Sequence, residues 1–185
     1  QSDVRVDFQR RRVNLFEPSI YMKREYEPVE SFESACPTIN KLIESAVGTG
    51  PVKAHYLNWA AVVWQYHIAT GMSWVLHGVQ GTGKGILANY VWAPLFGRSN
   101  VSIKRMEELE DQFNEHLERS LLVFIDEAEI GESRQSKMIM ANLKNNITEP
   151  TITIRRMRAA AYTVRNYCNF QLYSNMTTPV VIDST

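Results

Sequence analysis

The sequence predicts an α/β fold: a doubly wound, mostly parallel sheet preceded by a small helical N-terminal region. Three observations predict it. Short apolar strands alternate with helical segments from Ser73 onward, a glycine loop of phosphate-binding type follows the first of those strands, and the strand Leu121–Ile125 is apolar throughout. A fully apolar strand belongs at the centre of a parallel sheet covered on both faces, and strand–helix alternation supplies the covering layers.

Residues 1–31 read as a polar segment or linker punctuated by Pro18 and Pro28. Val4, Val6 and Phe8 alternate with charged residues as in a short strand, and Gln9-Arg10-Arg11-Arg12 forms a basic patch. That patch suits a nucleic-acid contact and a solvated turn equally. Residues 32–71 read as a helical collar. Over Ser31–Val47, Phe32, Ala35, Ile39, Leu42, Ile43 and Ala46 recur mostly at three- and four-residue steps, and Pro37 predicts a late helix start. Gly48-Thr49-Gly50-Pro51 is a break with proline at the next helix start. A longer helix is expected over Val52–Thr70, closed by Gly71, with Leu57, Ala60, Ala61, Trp64 and Ile68 as its stripe. Trp59, Val63 and Tyr66 widen its apolar face, so the helix is either buried on two sides or packed on a neighbouring subunit.

Residues 72–185 carry the alternation. Ser73–His77 is a short strand, Lys84–Val91 a helix after the glycine loop, and Val101–Ile103 a second strand. Met106–Leu117 is expected to be an acidic amphipathic helix with Leu109, Phe113 and Leu117 on one face. A helix over Ser133–Asn145, capped by Ser133, follows the apolar strand, then a hairpin over 151–168 and a last strand at Phe170–Tyr173.

Composition narrows the function classes. Lys plus Arg total 20 and Asp plus Glu total 20, so net charge does not point to nucleic acid and only its distribution can. Cys36 and Cys168 lie far apart and fit reduced thiols rather than a disulfide framework. The four histidines lack metal-ligand spacing. No apolar run reaches membrane-spanning length and Gln1-Ser2-Asp3 does not open a signal peptide, so a soluble, cytoplasmic protein is expected. Gln1 as first residue leads to the expectation of a fragment or processed product.

Four groups of residues carry chemistry. Gly78-Val79-Gln80-Gly81-Thr82-Gly83-Lys84-Gly85 fits the phosphate-loop pattern except at its last position, where Gly85 replaces Ser or Thr. Such a loop wraps N–H groups around phosphates at a helix N-terminus and aims its lysine at them. The apolar strand ends in Asp126-Glu127, 42 residues after Lys84. Asp126 is suited to holding Mg²⁺ and Glu127 to polarising an attacking water. Phe170–Ser174 leads into Asn175, an amide that could sense a γ-phosphate if its strand lies beside that of Asp126. Finally, Lys144, Arg155, Arg156, Arg158 and Arg165 stand against the single acid Glu149 over 144–168, and Arg155-Arg156-Met157-Arg158 forms a hairpin tip. A phosphate backbone could be gripped there, although three arginines also suit a solvated turn.

In this order, between Gly78 and Asn175, the motifs resemble those of the superfamily 3 helicases of viruses, phages and plasmids, a branch of the AAA+ ATPases. The likeness is greatest to the helicase modules of phage-type primase-helicases, in which a Gly-Thr-Gly-Lys-Gly loop and phrases like Ile147-Thr148-Glu149-Pro150 and Asn169-Phe170 through Ser174-Asn175 recur. It covers about residues 73–182. The resemblance implies an AAA+-like P-loop NTPase that binds ATP and Mg²⁺ through Gly78, Gly81, Thr82, Gly83, Lys84, Gly85 and Ile86. It implies Lys84 as the Walker A lysine, Asp126 and Glu127 as the Walker B acids, Asn175 as the sensor, and Lys144 with the 151–165 hairpin as the single-stranded DNA contact. Family members form rings, usually hexamers, with an arginine finger from the neighbour, and a primase or polymerase domain accompanies the motor.

Two departures stand out. Gly85 removes the hydroxyl that ligates magnesium, leaving Asp126, phosphates and water. Pro179–Asp183 looks like the approach to the last sheet strand and the arginine finger, and Thr185 stops short of both. Two further readings follow: a nucleotide-gated assembly or DNA-binding module without hydrolysis, and an AAA+ ATPase that remodels proteins. The second expects an aromatic pore loop where this chain has an arginine-tipped hairpin.

Overall fold

Residues 6–7, 9, 12–14, 16–79, 81–110, 113–128 and 134–175 are described in a computed structural model of the chain. A small antiparallel pair, β1 (Val6–Asp7) and β2 (Arg12–Val13), stands first. Val4, Phe8, Arg10 and Arg11, which complete the expected strand and basic patch, lie outside the described residues, as do Gln80, Ser133 and 176–185.

Pro37 divides the first helical segment as its missing N–H requires. α1 (Phe32–Ala35) is capped by Ser31, whose hydroxyl accepts from the Ser34 amide at 3.1 Å, and α2 (Pro37–Val47) starts at the proline. α3 (Gly50–Tyr66) begins in the Gly-Thr-Gly-Pro break and ends at His67, four residues before Gly71. Its buried stripe is Tyr56, Trp59, Ala60 and Val63, whereas Ala61 and Ile68 of the expected stripe are exposed. A helix apolar on nearly every side does not disclose its inner face by periodicity. Tyr56 turns toward the sheet, where its hydroxyl meets Gln171 of the last strand.

β3 (Ser73–His77) leads through the glycine loop into α4 (Lys84–Ile86), a π-helical stretch over Leu87–Trp92, and α5 (Ala93–Phe96). The expected helix thus runs on past Val91. Pro94 has no N–H to give to the preceding turn, and the Ala93 N–H reaches back five residues to the Ala88 carbonyl.

β4 (Val101–Arg105) and β5 (Leu122–Asp126) are joined by a segment that departs from expectation. In place of an α-helix over Met106–Leu117 there are two short 3₁₀ turns, Met106–Glu110 and Glu115–Glu118. Long-range bonds explain the change. The Asn114 backbone N–H donates to the Arg155 carbonyl at 3.1 Å, while its side chain accepts from the Arg155 N–H at 2.7 Å and donates to the Thr153 carbonyl at 3.0 Å. These bonds tie the segment to the hairpin and win over local helical pattern.

α6 (Arg134–Thr148) then leads into the hairpin of β6 (Thr151–Ile154) and β7 (Tyr162–Arg165), and β8 (Asn169–Ser174) closes the described chain. The main sheet has the order β3-β8-β5-β4, every neighbouring pair parallel. Side chains alternate between its faces. Leu122, Phe124 and Tyr173 pack with Tyr56, Trp59 and Val63 of α3 and with Leu87 and Trp92. Val123, Ile125, Phe170 and Leu172 pack with Ile139 and Leu143 of α6 and with Ile152 and Ile154 of the hairpin. Leu122 to Ile125 are all at most 2% exposed, each contributing about 1.5–3 kcal/mol of apolar burial. Helices α2 and α3 share this core with the sheet. No helix among the described residues is long and apolar enough to cross a membrane.

Candidate nucleotide site and nucleic-acid interface

Parallel pairing brings the ends of three adjacent strands together. β8 lies between β3 and β5, with His77 opposite Ser174 and Ile125 opposite Leu172. The glycine loop, Asn175 and Asp126-Glu127 therefore lie at the carboxyl ends of neighbouring strands, the edge where open α/β sheets bind ligands. Two backbone bonds fix the alignment: the Gly78 N–H donates to the Ser174 carbonyl at 3.2 Å, and the Ala128 N–H to the Tyr173 carbonyl at 2.8 Å. The condition set by sequence for Asn175, a strand beside that of Asp126, is met.

The loop turns through Gly83, whose φ of 89° suits glycine because it lies in the left-handed region. Lys84 is 92% buried, at 8% exposure, and its ammonium folds back on the loop. It donates to the Gly78 carbonyl at 3.0 Å, the Val79 carbonyl at 3.3 Å and the Thr82 hydroxyl at 3.3 Å. Three loop oxygens thus satisfy the ammonium, and the oxygens of a phosphate could take their place. Gly85 lies within α4 with open space where a Cβ would project, so sterics do not require glycine there.

Asp126 and Glu127 are both exposed at the end of β5. Glu127 adopts φ 53°, uncommon for a residue with a side chain, and its N–H donates to Asp126 Oδ1 at 3.0 Å. Among the described residues, no three His, Cys, Asp or Glu side chains converge as a metal cage. The exposed Asp126 carboxylate is a donor of the oxygen class that Mg²⁺ takes.

Behind these strand ends lies a buried polar network that sequence reasoning missed. The Tyr56 hydroxyl donates to Gln171 Oε1 at 2.9 Å and accepts from Trp92 Nε1 at 2.9 Å. The Tyr173 hydroxyl reaches the same Gln171 oxygen at 3.4 Å. Burial pushes the Tyr173 phenol well above its ordinary value, with the Tyr56 phenol and the Asp126 carboxylate adding to it. A glutamine inside an otherwise apolar strand, Phe170-Gln171-Leu172, was the available signal.

The hairpin presents Arg155, Met157 and Arg158 to solvent at its turn, Arg158 with φ 57°. Arg156 differs. Its guanidinium is ion-paired with Glu118 and lies over the Tyr162 ring, 5.6 Å from the centroid. Tyr162 donates its hydroxyl to the other Glu118 oxygen at 2.7 Å. Lys144 is exposed on α6, outside the hairpin. Arg165 stands over the half-exposed Tyr167 ring at 5.5 Å.

The profile described as "Family of unknown function (DUF5906)" matches residues 76–185. The chain is 33% identical over 174 residues, 94% of its length, to the protein named DNA Primase-polymerase of Nitratiruptor phage NrS-1, and spans 23% of that protein. It is similar to the apo structure of the NrS-1 C-terminal region (305–718), with a TM-score of 0.80 and 32% identity, covering 94% of this chain and 41% of that one. An A-form apo structure of the same region gives a TM-score of 0.75 and 30% identity, covering 90% and 38%.

Proposed function

The chain belongs to the family of unknown function DUF5906, and on that premise we propose that it is the ATPase core of a phage-type replication protein, a DNA helicase of superfamily 3 type. The observation that carries the reading is the adjacency of three strand ends bearing a glycine loop with lysine, an Asp-Glu pair and an asparagine. Homology to a phage protein named DNA Primase-polymerase supports the replication setting and a primase or polymerase domain as partner. Residues 72–185 form the motor in this reading, 32–71 its collar and 1–31 a linker, within an AAA+-like hexamer.

Lys84 exchanges its loop oxygens for the β- and γ-phosphates of ATP, and the N–H groups at the start of α4 cradle them. Asp126 holds Mg²⁺, which supplies charge neutralisation on the phosphates. Glu127 takes the proton of the attacking water, and Asn175, just past the strand between loop and acids, orients that water. Arg155 and Arg158 grip the single strand's phosphates from the exposed turn, and the exposed Lys144 of α6 adds a further positive charge.

Binding of Mg·ATP by the full-length protein, set beside Lys84→Ala, tests the site. Saturable binding abolished by the substitution is expected; equal binding by both sinks the reading. Gly85 favours one second reading, a nucleotide-gated assembly without hydrolysis, because the magnesium hydroxyl is missing. That reading predicts K84A-sensitive binding with no turnover.

A further inference from the structure

We propose that α2 is a working part of the nucleotide site, with Leu42 and Ser45 as positioning residues that hold the phosphate loop from its outer side. The inference rests on the nucleotide reading above and adds residues outside its loop-and-acid motifs. Leu42 and Ser45 are three residues apart on α2, so they share one helix face. The neighbouring Ile43, 1% exposed, belongs to the core with the sheet and anchors that helix. Lys53 of α3 braces it further, donating to Glu44 at 2.9 Å and to Asn40 at 2.7 Å.

From this braced face two contacts reach the loop. The Ser45 hydroxyl donates to the Thr82 carbonyl at 3.1 Å. A Cβ placed on Gly83 would meet Leu42 Cδ1 at 2.4 Å, so the leucine lies directly against the loop backbone. The peptide linking Thr82 and Gly83 is trans, and in a trans peptide the carbonyl and the following N–H point in opposite directions. By holding the Thr82 carbonyl toward α2, Ser45 turns the Gly83 N–H away from α2. Leu42 fixes how far the same peptide can withdraw.

These contacts matter because of what Lys84 does. Its three bonds to Gly78, Val79 and Thr82 brace the loop from within, and they are given up when the ammonium turns to phosphate. The α2 contacts use other atoms and persist. Ordering of α2 against the sheet and nucleotide affinity are then reciprocally coupled.

The test measures Mg·ATP affinity and thermal stability for the full-length wild type, Ser45→Ala, Ser45→Thr, Leu42→Ala and Lys84→Ala. S45A loses a single loop hydrogen bond, so its Kd is expected to rise by about three- to tenfold. S45T restores wild-type affinity, and L42A weakens binding at least as much as S45A. Should L42A fail to fold, the S45A and S45T pair decides. A lower melting temperature with unchanged Kd in these variants would make the contacts merely structural and overturns the inference. If K84A abolishes binding in that same series, the nucleotide reading stands without it. A wild-type protein that binds no Mg·ATP overturns both.

Discussion

Arg156 does not stand free at the hairpin tip: it is ion-paired with Glu118, whose side chain is 9% exposed. Tyr162 completes the arrangement, donating to the same carboxylate and lying beneath the guanidinium. A charge already compensated has less to offer a phosphate than Arg155 and Arg158, which are exposed. Glu118→Gln is therefore expected to strengthen single-stranded DNA binding and steepen its salt dependence by roughly 0.7 in log–log slope, one added phosphate contact. Titrations at several salt concentrations check it. An unchanged slope would mean that Arg156 never meets the nucleic acid.

Gly85 has open space at its Cβ position and no left-handed backbone. Gly85→Ser should fold normally and place a hydroxyl at the start of α4, where the usual phosphate loop has its magnesium ligand. The Mg²⁺ concentration needed for half-maximal ATP binding should fall by about three- to tenfold, the effect of one added polar contact to a charged group. A rise in that concentration would show that the loop meets metal and phosphate in another geometry.

Tyr56→Phe removes the hydroxyl that links α3, the π-helical stretch and β8. Trp92 Nε1 then loses its partner inside the core, and Gln171 Oε1 keeps only the longer contact from Tyr173. A loss of about 1–3 kcal/mol is expected from leaving a buried donor unpaired. Urea unfolding measures it, and a loss within error of zero would show that the network contributes nothing net.

Burial pushes the His67 and His116 imidazoles below the ordinary value of 6.5; at His116 the Lys104 ammonium adds to the effect while Glu108 and Glu115 oppose it. The unfolded chain takes up protons at these sites before the folded chain does. Their stability contribution is thus fully present above about pH 6.5 and is lost as pH falls through the depressed folded values. Denaturation midpoints at about pH 7.5 and about pH 5.5 should differ, and His67→Gln with His116→Gln should narrow the difference. A double variant as pH-sensitive as wild type would assign the dependence to other groups.

Much of the fold was legible because its signals are local and strong. Leu121–Ile125 read as a central strand because no polar residue interrupts it, and Pro37 and Gly48–Pro51 marked helix starts through their own backbone chemistry. What sequence misread was decided at long range. Asn114 is 41 residues from Arg155, and their paired bonds unmade the helix expected over Met106–Leu117. The inner face of α3 was set by Tyr56 reaching Gln171 across 115 residues, a pairing that no periodicity encodes. At the candidate site, Lys84, Asp126 and Asn175 were singled out by residue type and order, and the parallel register sets the strands that lead to them side by side. Glu118 was passed over because an acid in an acidic stretch reads as solvated surface until Arg156 is seen against it.

The central claim is that the three adjacent strand ends form a site that hydrolyses ATP. The most direct measurement is steady-state ATP turnover by the full-length protein, with and without single-stranded DNA, beside Glu127→Gln. The account predicts turnover that DNA stimulates, and a fall of about 10²–10⁴-fold when the general base is removed while Mg·ATP binding survives. Turnover equal in wild type and E127Q, at any DNA concentration, would contradict it.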